Sequence, residues 1–380
     1  SKFKFQWWYR LWCDCVTGWY TDKRTKYGVF ATDFFDNIDN GLKTWGDYRR
    51  AKRQNDDMSF RMEYLNEAIG NAEDAFFKIQ SFKENQIIQK AFNPPSNIDI
   101  YARIDKGNIE KADNELRLVI VDYAFANTTS REKNDNTIIM LMSLHWKGNR
   151  FERHVDYIEG HPASDSIGAA DRVRELFWDY QADYLIPDTR SGGEVLYNRM
   201  TMHWEHPERG TNWNPQGLCV LTDKDLNVVQ DGKIQDLVER TVDKNALPCI
   251  IPITATSELN SIMWIELKKQ LESNNVKFLV DMQSHQNALE DEGKYYDLSA
   301  EELAVELAPY GQADMMIQEA VNLSAEFRDG KVKLKEPRSG TKDRAVCLSY
   351  GNYIASKLEN RYNQSMQEED VDMDEIQLVY

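Results

Sequence analysis

Leu116-Arg117-Leu118-Val119-Ile120-Val121-Asp122 is the stretch on which the fold turns: a run of branched apolar residues that closes on a carboxylate. Branched side chains suit a pleated, buried surface, so the run reads as a β-strand. A polar loop, Asn127 to Asn136, leads into a second strand, Thr137 to Trp146. Lys147-Gly148-Asn149 is a hairpin-type turn, and Phe151 to Ile158 alternates as a third strand should. The spacing then predicts a helix over about Ile167 to Tyr180. A short strand follows, Tyr184-Leu185-Ile186, which ends at Pro187-Asp188 and runs through Thr189-Arg190-Ser191-Gly192-Gly193 into another helix. Three strands in hairpin order, a helical crossover and a fourth strand make a mixed α/β sheet flanked by helices.

Downstream, Cys249 to Thr254 and Val276 to Val280 read as strands on either side of a helix from Glu258 to Leu271. A long helical region spans about Ala300 to Ala325, Lys331 to Lys335 is a strand-like basic segment, and Lys342 to Leu358 is a final amphipathic helix. Upstream, residues 1 to 85 are rich in aromatics, with a short strand at Tyr27 to Thr32 and helical periodicity from Asp47 to Gln80. The Pro94-Pro95 pair removes two backbone donors and restricts the residue before it, so no helix passes through. The expected organisation is a first unit at 1–85, a linker at 86–97, the mixed-sheet domain at 98–360 and an acidic, disordered tail at 361–380.

The charge balance limits what the surface can bind. Of the 380 residues, 63 are Asp or Glu against 46 Lys or Arg, a formal net charge of -17. A bulk charge of that sign repels phosphate, so contact with nucleic acid requires a local basic patch or bound cations. The five cysteines form no CxxC pair, which reads as free thiols in a reducing compartment. No run is apolar enough to cross a bilayer, and Ser1 to Trp8 has no signal-peptide pattern. A chain that starts so abruptly in aromatic residues is expected to extend further upstream.

Three acids fall where such an architecture gathers side chains. Asp122 closes the first strand, Asp188 closes the fourth, and Asp343 opens the last helix. If the first and fourth strands are neighbours, their ends lie side by side and a helix across that edge supplies the third carboxylate. A pair of hard divalent cations needs such a cluster, one activating water and the other stabilising a leaving oxygen. Each acid also has a plainer use, since Asp at a strand end is a common turn or cap residue, and Val280-Asp281 repeats the pattern. Asp343 also suits the positive end of a helix on electrostatic grounds alone. An ATPase reading of the apolar strand and its acid fails, because Gly232-Lys233, Gly293-Lys294 and Gly330-Lys331 lack the Ser or Thr of a phosphate-binding loop. His203, His206 and Cys219 are zinc-type ligands, but their spacing matches no compact site. For phosphate contact the candidates are Arg190, Gly192 and Gly193 at the strand-to-helix turn, and Lys333, Lys335, Arg338, Lys342 and Arg344 around Asp343. An ordinary tight turn and a lysine-blunted strand edge are the structural alternatives to those two groups.

Met58 to Asn66, followed by Asp74-Ala75-Phe76-Phe77, resembles the segment that closes the ATPase domain of tailed-phage large terminases. Leu118 to Asp122, Ile186 to Gly193 and Gly340 to Leu348 follow in the order of that family's nuclease motifs. The resemblance implies a ribonuclease-H-like nuclease domain preceded by a partial ATPase-domain segment. It implies a metal-dependent endonuclease, a hydrolase, that cuts concatemeric viral DNA during packaging into the capsid. Two Mg²⁺ or Mn²⁺ ions would be held by Asp122, Asp188 and Asp343, with Asp135 as a further ligand. Double-stranded DNA, the portal protein and the small terminase subunit would be partners, with no membrane. The setting would be the host cytoplasm, transiently at the procapsid portal. Arg344 stands where relatives often carry a second acid, and without Walker motifs no ATPase activity is expected of this chain alone. A resolvase- or transposase-type nuclease, or a non-catalytic portal- or partner-binding module, are the alternative readings.

Overall fold

The computed structural model describes residues 11–13, 15–17, 32–54, 60, 64–65, 75–95, 110–124, 136–162, 165–190, 193–328, 331–337 and 341–376. The chain divides into two compact units, Ser1–Ile79 and Gln80–Tyr380. In the first, helix α1 (Phe34–Asp39) begins at Asp33, whose carboxylate accepts the Asp36 amide while Asp36 reciprocates, a capping box. Helix α2 (Trp45–Gln54) follows. Phe34, Ala51 and Phe60 form a small core, with Tyr48 edge-on to both Phe34 and Phe60 at ring centroids 5.7 and 5.2 Å apart. The strand expected at Tyr27 to Thr32 lies, but for Thr32, outside the described residues.

Helix α3 (Ile79–Lys83) leads into the second unit, built on strands β1 (Gln86–Ile88), β2 (Glu115–Asp122), β3 (Asn136–Trp146), β4 (Phe151–Pro162), β5 (Tyr184–Pro187), β6 (Leu218–Val220), β7 (Leu247–Ile250) and β8 (Val276–Leu279). They form one eight-stranded sheet in the order β1-β8-β4-β3-β2-β5-β7-β6. β2, β3 and β4 are antiparallel neighbours, while β5 lies parallel to β2. The crossover from β4 to β5 is helix α4 (Ser166–Asp179). This is the mixed α/β sheet the sequence predicts, with strand one beside strand four.

Strand alternation divides the core into two layers. Val119, Val121, Ile139, Leu141 and Leu185 pack against Ala169, Val173, Leu176 and Phe177 of α4 and against Leu196, Tyr197 and Met200 of helix α5 (Gly193–Met200). The even-numbered residues of β2 and β3 face the other way, toward helix α10 (Asp343–Ile376). Gly351 of α10 sits so close that a Cβ there would meet Ile120 Cδ1 at 3.0 Å and Met142 Cε at 3.1 Å. Asp122 shares the even register of Leu118 and Ile120, so the same alternation turns it to the α10 side.

Further elements among the described residues are helices α6 (Asp231–Glu239), α7 (Ser257–Glu272), α8 (Met282–Asp291) and α9 (Ala300–Val321), a 3-10 turn at Lys294–Tyr296, and a separate hairpin of β9 (Ser324–Arg328) with β10 (Lys331–Lys335). Three boundaries differ from the sequence reading. The segment taken as a linker, 86–97, carries β1, which pairs with β8, and Phe92, which is buried in the core with its amide on the Asp156 carbonyl at 3.0 Å. Isoleucine and phenylalanine there have apolar surface to bury, and the double proline only ends the extended segment. The long helix stops at Val321, because Asn322 caps it and the chain reverses into β9. The last helix, expected to end near Leu358, is assigned to Ile376.

Candidate active site

The parallel pairing of β2 with β5 brings two of the three aspartates to one sheet edge. The Asp188 amide donates to the Val121 carbonyl at 3.0 Å, one residue before Asp122. Helix α10 crosses that edge. Asp343, Cys347 and Tyr350 are spaced four and three residues apart, which places them on one helical stripe. The Tyr350 hydroxyl donates to Asp188 Oδ2 at 2.8 Å. Burial, then the charges of Asp188 and Asp122, hold the Tyr350 phenol far above its ordinary value. Burial, then the charges of Asp122, Asp343 and Glu319, push the Cys347 thiol well up. One helical stripe therefore senses all three aspartates, and Glu319 as well.

Asp188 is 5% exposed. Its Oδ1 accepts the Arg190 backbone N–H at 2.9 Å, and its Oδ2 accepts Arg190 Nη2 at 2.9 Å besides Tyr350. Arg190 Nε lies 3.3 Å from both oxygens. Gly193 opens α5 directly above this turn: a Cβ there would lie 1.9 Å from the Asp188 carbonyl oxygen. The close approach that glycine allows is thus to the chain's own backbone. Ser191 and Gly192 lie outside the described residues, as do Asp135 and Arg338.

Glu319 of α9 carries no signal in the sequence, because it is one acid among several in a long helix. Its carboxylate accepts the Arg344 amide at 2.9 Å and the Ala345 amide at 3.3 Å, capping α10 from another element. It also accepts Arg344 Nη1 at 2.6 Å and the Thr341 hydroxyl at 2.8 Å. Arg344, expected at the phosphate contact, turns its guanidinium inward, with Nη1 on Glu319 and Nε on Gln312 at 2.7 Å. Among the lysines, Lys335 pairs with Glu326, Lys342 with Glu336 at 2.7 Å, and Lys333 is exposed on β10.

The donor chemistry at this edge fits a hard divalent cation: carboxylates supplied by two strand ends and a helix start. The arrangement as it stands is closed, however. Among the described residues, no three His, Cys, Asp or Glu side chains are grouped so as to hold an ion. The zinc alternative is also excluded for His206, since its Nε2 is 3.0 Å from Glu175 and its Nδ1 accepts the amides of Glu208 and Arg209 at 3.1 and 3.0 Å. Asp281, the decoy of the sequence pattern, takes the plain role: it caps α8 by accepting the Ser284 amide.

No family model matches the sequence, and no curated relative does. Solved structures it is similar to include phage large terminases. The nuclease of the thermophilic phage G20c large terminase, with bound magnesium, aligns over 74% of this chain and 98% of that chain, at 10% identity and a TM-score of 0.36. The nuclease domain of the large terminase subunit of bacterial virus Sf6 aligns over 72% of this chain and 96% of its own, at 11% identity and a TM-score of 0.32. A large terminase from a second thermophilic bacteriophage, in complex with ATP-gamma-S, aligns over 85% of this chain and 54% of its own, at 8% identity and a TM-score of 0.33. Likeness at this level leaves the chemistry to be read from this chain's own side chains.

Proposed function

We propose that this chain is a divalent-cation-dependent DNA endonuclease that cuts concatemeric viral DNA during genome packaging. The observation that carries the proposal is that the pairing of β2 with β5 sets Asp122 and Asp188 at adjoining strand ends, with Asp188 bonded to Tyr350 on the helix that Asp343 opens. The motif order over Leu118–Asp122, Ile186–Gly193 and Gly340–Leu348 supports the packaging role. With that role come the portal protein and small terminase subunit as partners, and the host cytoplasm as the setting. The three aspartates would hold Mg²⁺ or Mn²⁺, which when bound activates water and stabilises the leaving oxygen of a phosphodiester.

The chain's own residues prepare that edge. Tyr350 and the Arg190 amide orient the Asp188 carboxylate, and Glu319 fixes the first turn of α10 and with it Asp343. Lys333, Lys335 and Lys342 are the candidates to lie along the DNA backbone, an interaction that positions the duplex without reading its sequence.

Mn²⁺-dependent plasmid nicking tests the reading. Asp122→Ala, Asp188→Ala and Asp343→Ala should each abolish nicking while the circular dichroism spectrum stays that of the parent. Full cleavage by any one purified variant removes that residue from the site. The filled lone pairs of Asp188 favour a second reading, a non-catalytic interaction module whose acids only cap and pair. Absence of saturable Mn²⁺ binding both to the parent chain and to a variant in which Arg190 no longer covers Asp188 would decide for that module.

A further inference from the structure

The Asp188 carboxylate has no acceptor capacity left. A carboxylate offers about four lone-pair positions. Here they receive the Arg190 amide at 2.9 Å, Arg190 Nη2 at 2.9 Å, Arg190 Nε at 3.3 Å and the Tyr350 hydroxyl at 2.8 Å. A cation reaching Asp188 must displace one of these donors, and they differ in how readily they leave. The amide belongs to the chain two residues on and is fixed by the turn. Tyr350 is fully buried on α10. The Arg190 guanidinium sits at the end of a flexible stem, and its side chain is 48% exposed against 7% for Asp188. It covers the carboxylate from the solvent side, steadied by Nη1 on the Ala255 carbonyl at 2.9 Å and by Nη2 3.3 Å from the Tyr350 hydroxyl.

We propose that Arg190 is a built-in counter-ion that occupies the cation position on Asp188 and must swing out before a divalent ion binds. The inference rests on the nuclease reading and adds a regulatory exchange to it: the carboxylate trades a guanidinium for a metal. Once displaced, the guanidinium keeps its charge and its planar donor fork, the geometry that grips a phosphate in bidentate fashion. Cation entry and phosphate capture are thereby linked through one side chain, and the closed edge is the resting state.

Because the guanidinium is half exposed, the hold is light. A solvent-facing pair contributes little, so its removal should change cation affinity by about tenfold at most. The test is calorimetric titration of MnCl₂ into the full chain, without DNA. Arg190→Ala and Arg190→Gln should bind Mn²⁺ roughly three- to tenfold more tightly than the parent. Both should melt lower than the parent without metal and gain more from added Mn²⁺. Should the alanine variant fail to fold, the glutamine variant carries the comparison. Lys357→Ala removes the same charge from α10, where Lys357 bonds the Asp225 carbonyl, and should leave the affinity within about twofold. Asp188→Asn should lose the tight site in either background.

Equal or weaker binding by both Arg190 variants, with saturable binding by the parent, overturns the counter-ion role and leaves the nuclease reading standing. An equal gain from Lys357→Ala also overturns it, because bulk charge would then explain the effect. No saturable binding by the parent or by any variant sinks both proposals together.

Discussion

Asp188 and Asp281 both end an apolar strand, yet only one is committed to a cap. Asp281 accepts the Ser284 amide at 3.1 Å, whereas Asp188 turns its carboxylate toward Arg190 and Tyr350. What separates them is the residue that follows at close range. Gly193 lets α5 begin against the Asp188 carbonyl, and a methyl group there would sit 1.9 Å from that oxygen. Gly193→Ala should therefore displace the Asp188 turn, lowering nicking by at least tenfold and stability by about 1–3 kcal/mol. Unfolding in urea and the nicking assay measure the two effects. Unchanged activity would mean the Asp188 turn tolerates being moved. Glu319 is a second residue whose worth is local. Removing it leaves the Arg344 guanidinium, 11% exposed, without its charge partner and takes the cap from α10. Glu319→Ala should cost about 3–5 kcal/mol in urea unfolding, and pairing it with Arg344→Met should recover much of that loss. A single-variant cost below about 1 kcal/mol would show that solvent already shares the pair.

At the scale of elements, β2, β3, β4, α4 and β5 were legible in the sequence because each carries a strong period or a strong turn. The neighbouring order of β2 and β5 followed from hairpins and one crossover. The two strand-end acids and the α10 acid were legible for the same reason, as all three sit at element ends. Two kinds of feature were not. β1 and β6 are three residues long, too short to show a period. Glu319 and the inward turn of Arg344 depend on how α9 docks against α10, a tertiary fact with no local mark. Asp314 of α9 is another such junction residue. It accepts the Met282 amide at the start of α8 at 3.0 Å and Gln86 Nε2 beside β1 at 3.3 Å. Burial, with the nearby charge of Asp281, raises its carboxyl from 3.8 to about 6. A carboxyl raised in the fold contributes its full stability below its unfolded value and loses it as pH climbs through about 6. Asp314→Asn does not titrate, so it should gain on the parent by about 2–3 kcal/mol between pH 4 and pH 7. Urea unfolding at the two pH values gives that difference directly, and a flat difference would mean the carboxyl titrates normally in the fold.

For the whole molecule the governing quantity is charge. At a net -17, DNA would approach against the bulk field, and most basic side chains around β10 and Asp343 already have a carboxylate partner. Lys331 lies 3.5 Å from Glu258, Lys335 pairs with Glu326, and Lys342 is 2.7 Å from Glu336. Arg344 is turned inward onto Glu319. Few phosphates can then be neutralised directly, and each contributes about -0.9 to the slope of log affinity against log salt. The expected slope is shallow, no steeper than about -4, in contrast to the steep dependence of a basic DNA-binding surface. Cations bound among the aspartates would supply the missing positive charge. Affinity for a short duplex, followed by fluorescence anisotropy with Ca²⁺ in place of Mg²⁺ to avoid cutting, should fall by at least tenfold when EDTA is added. Replacing Lys331, Lys333 and Lys335 together by alanine should weaken binding equally for unrelated sequences and flatten the slope by about one unit for every phosphate no longer neutralised. A steep slope that EDTA leaves unchanged would place the DNA on a basic surface away from the aspartates. The carboxylate edge would then have no part in holding it.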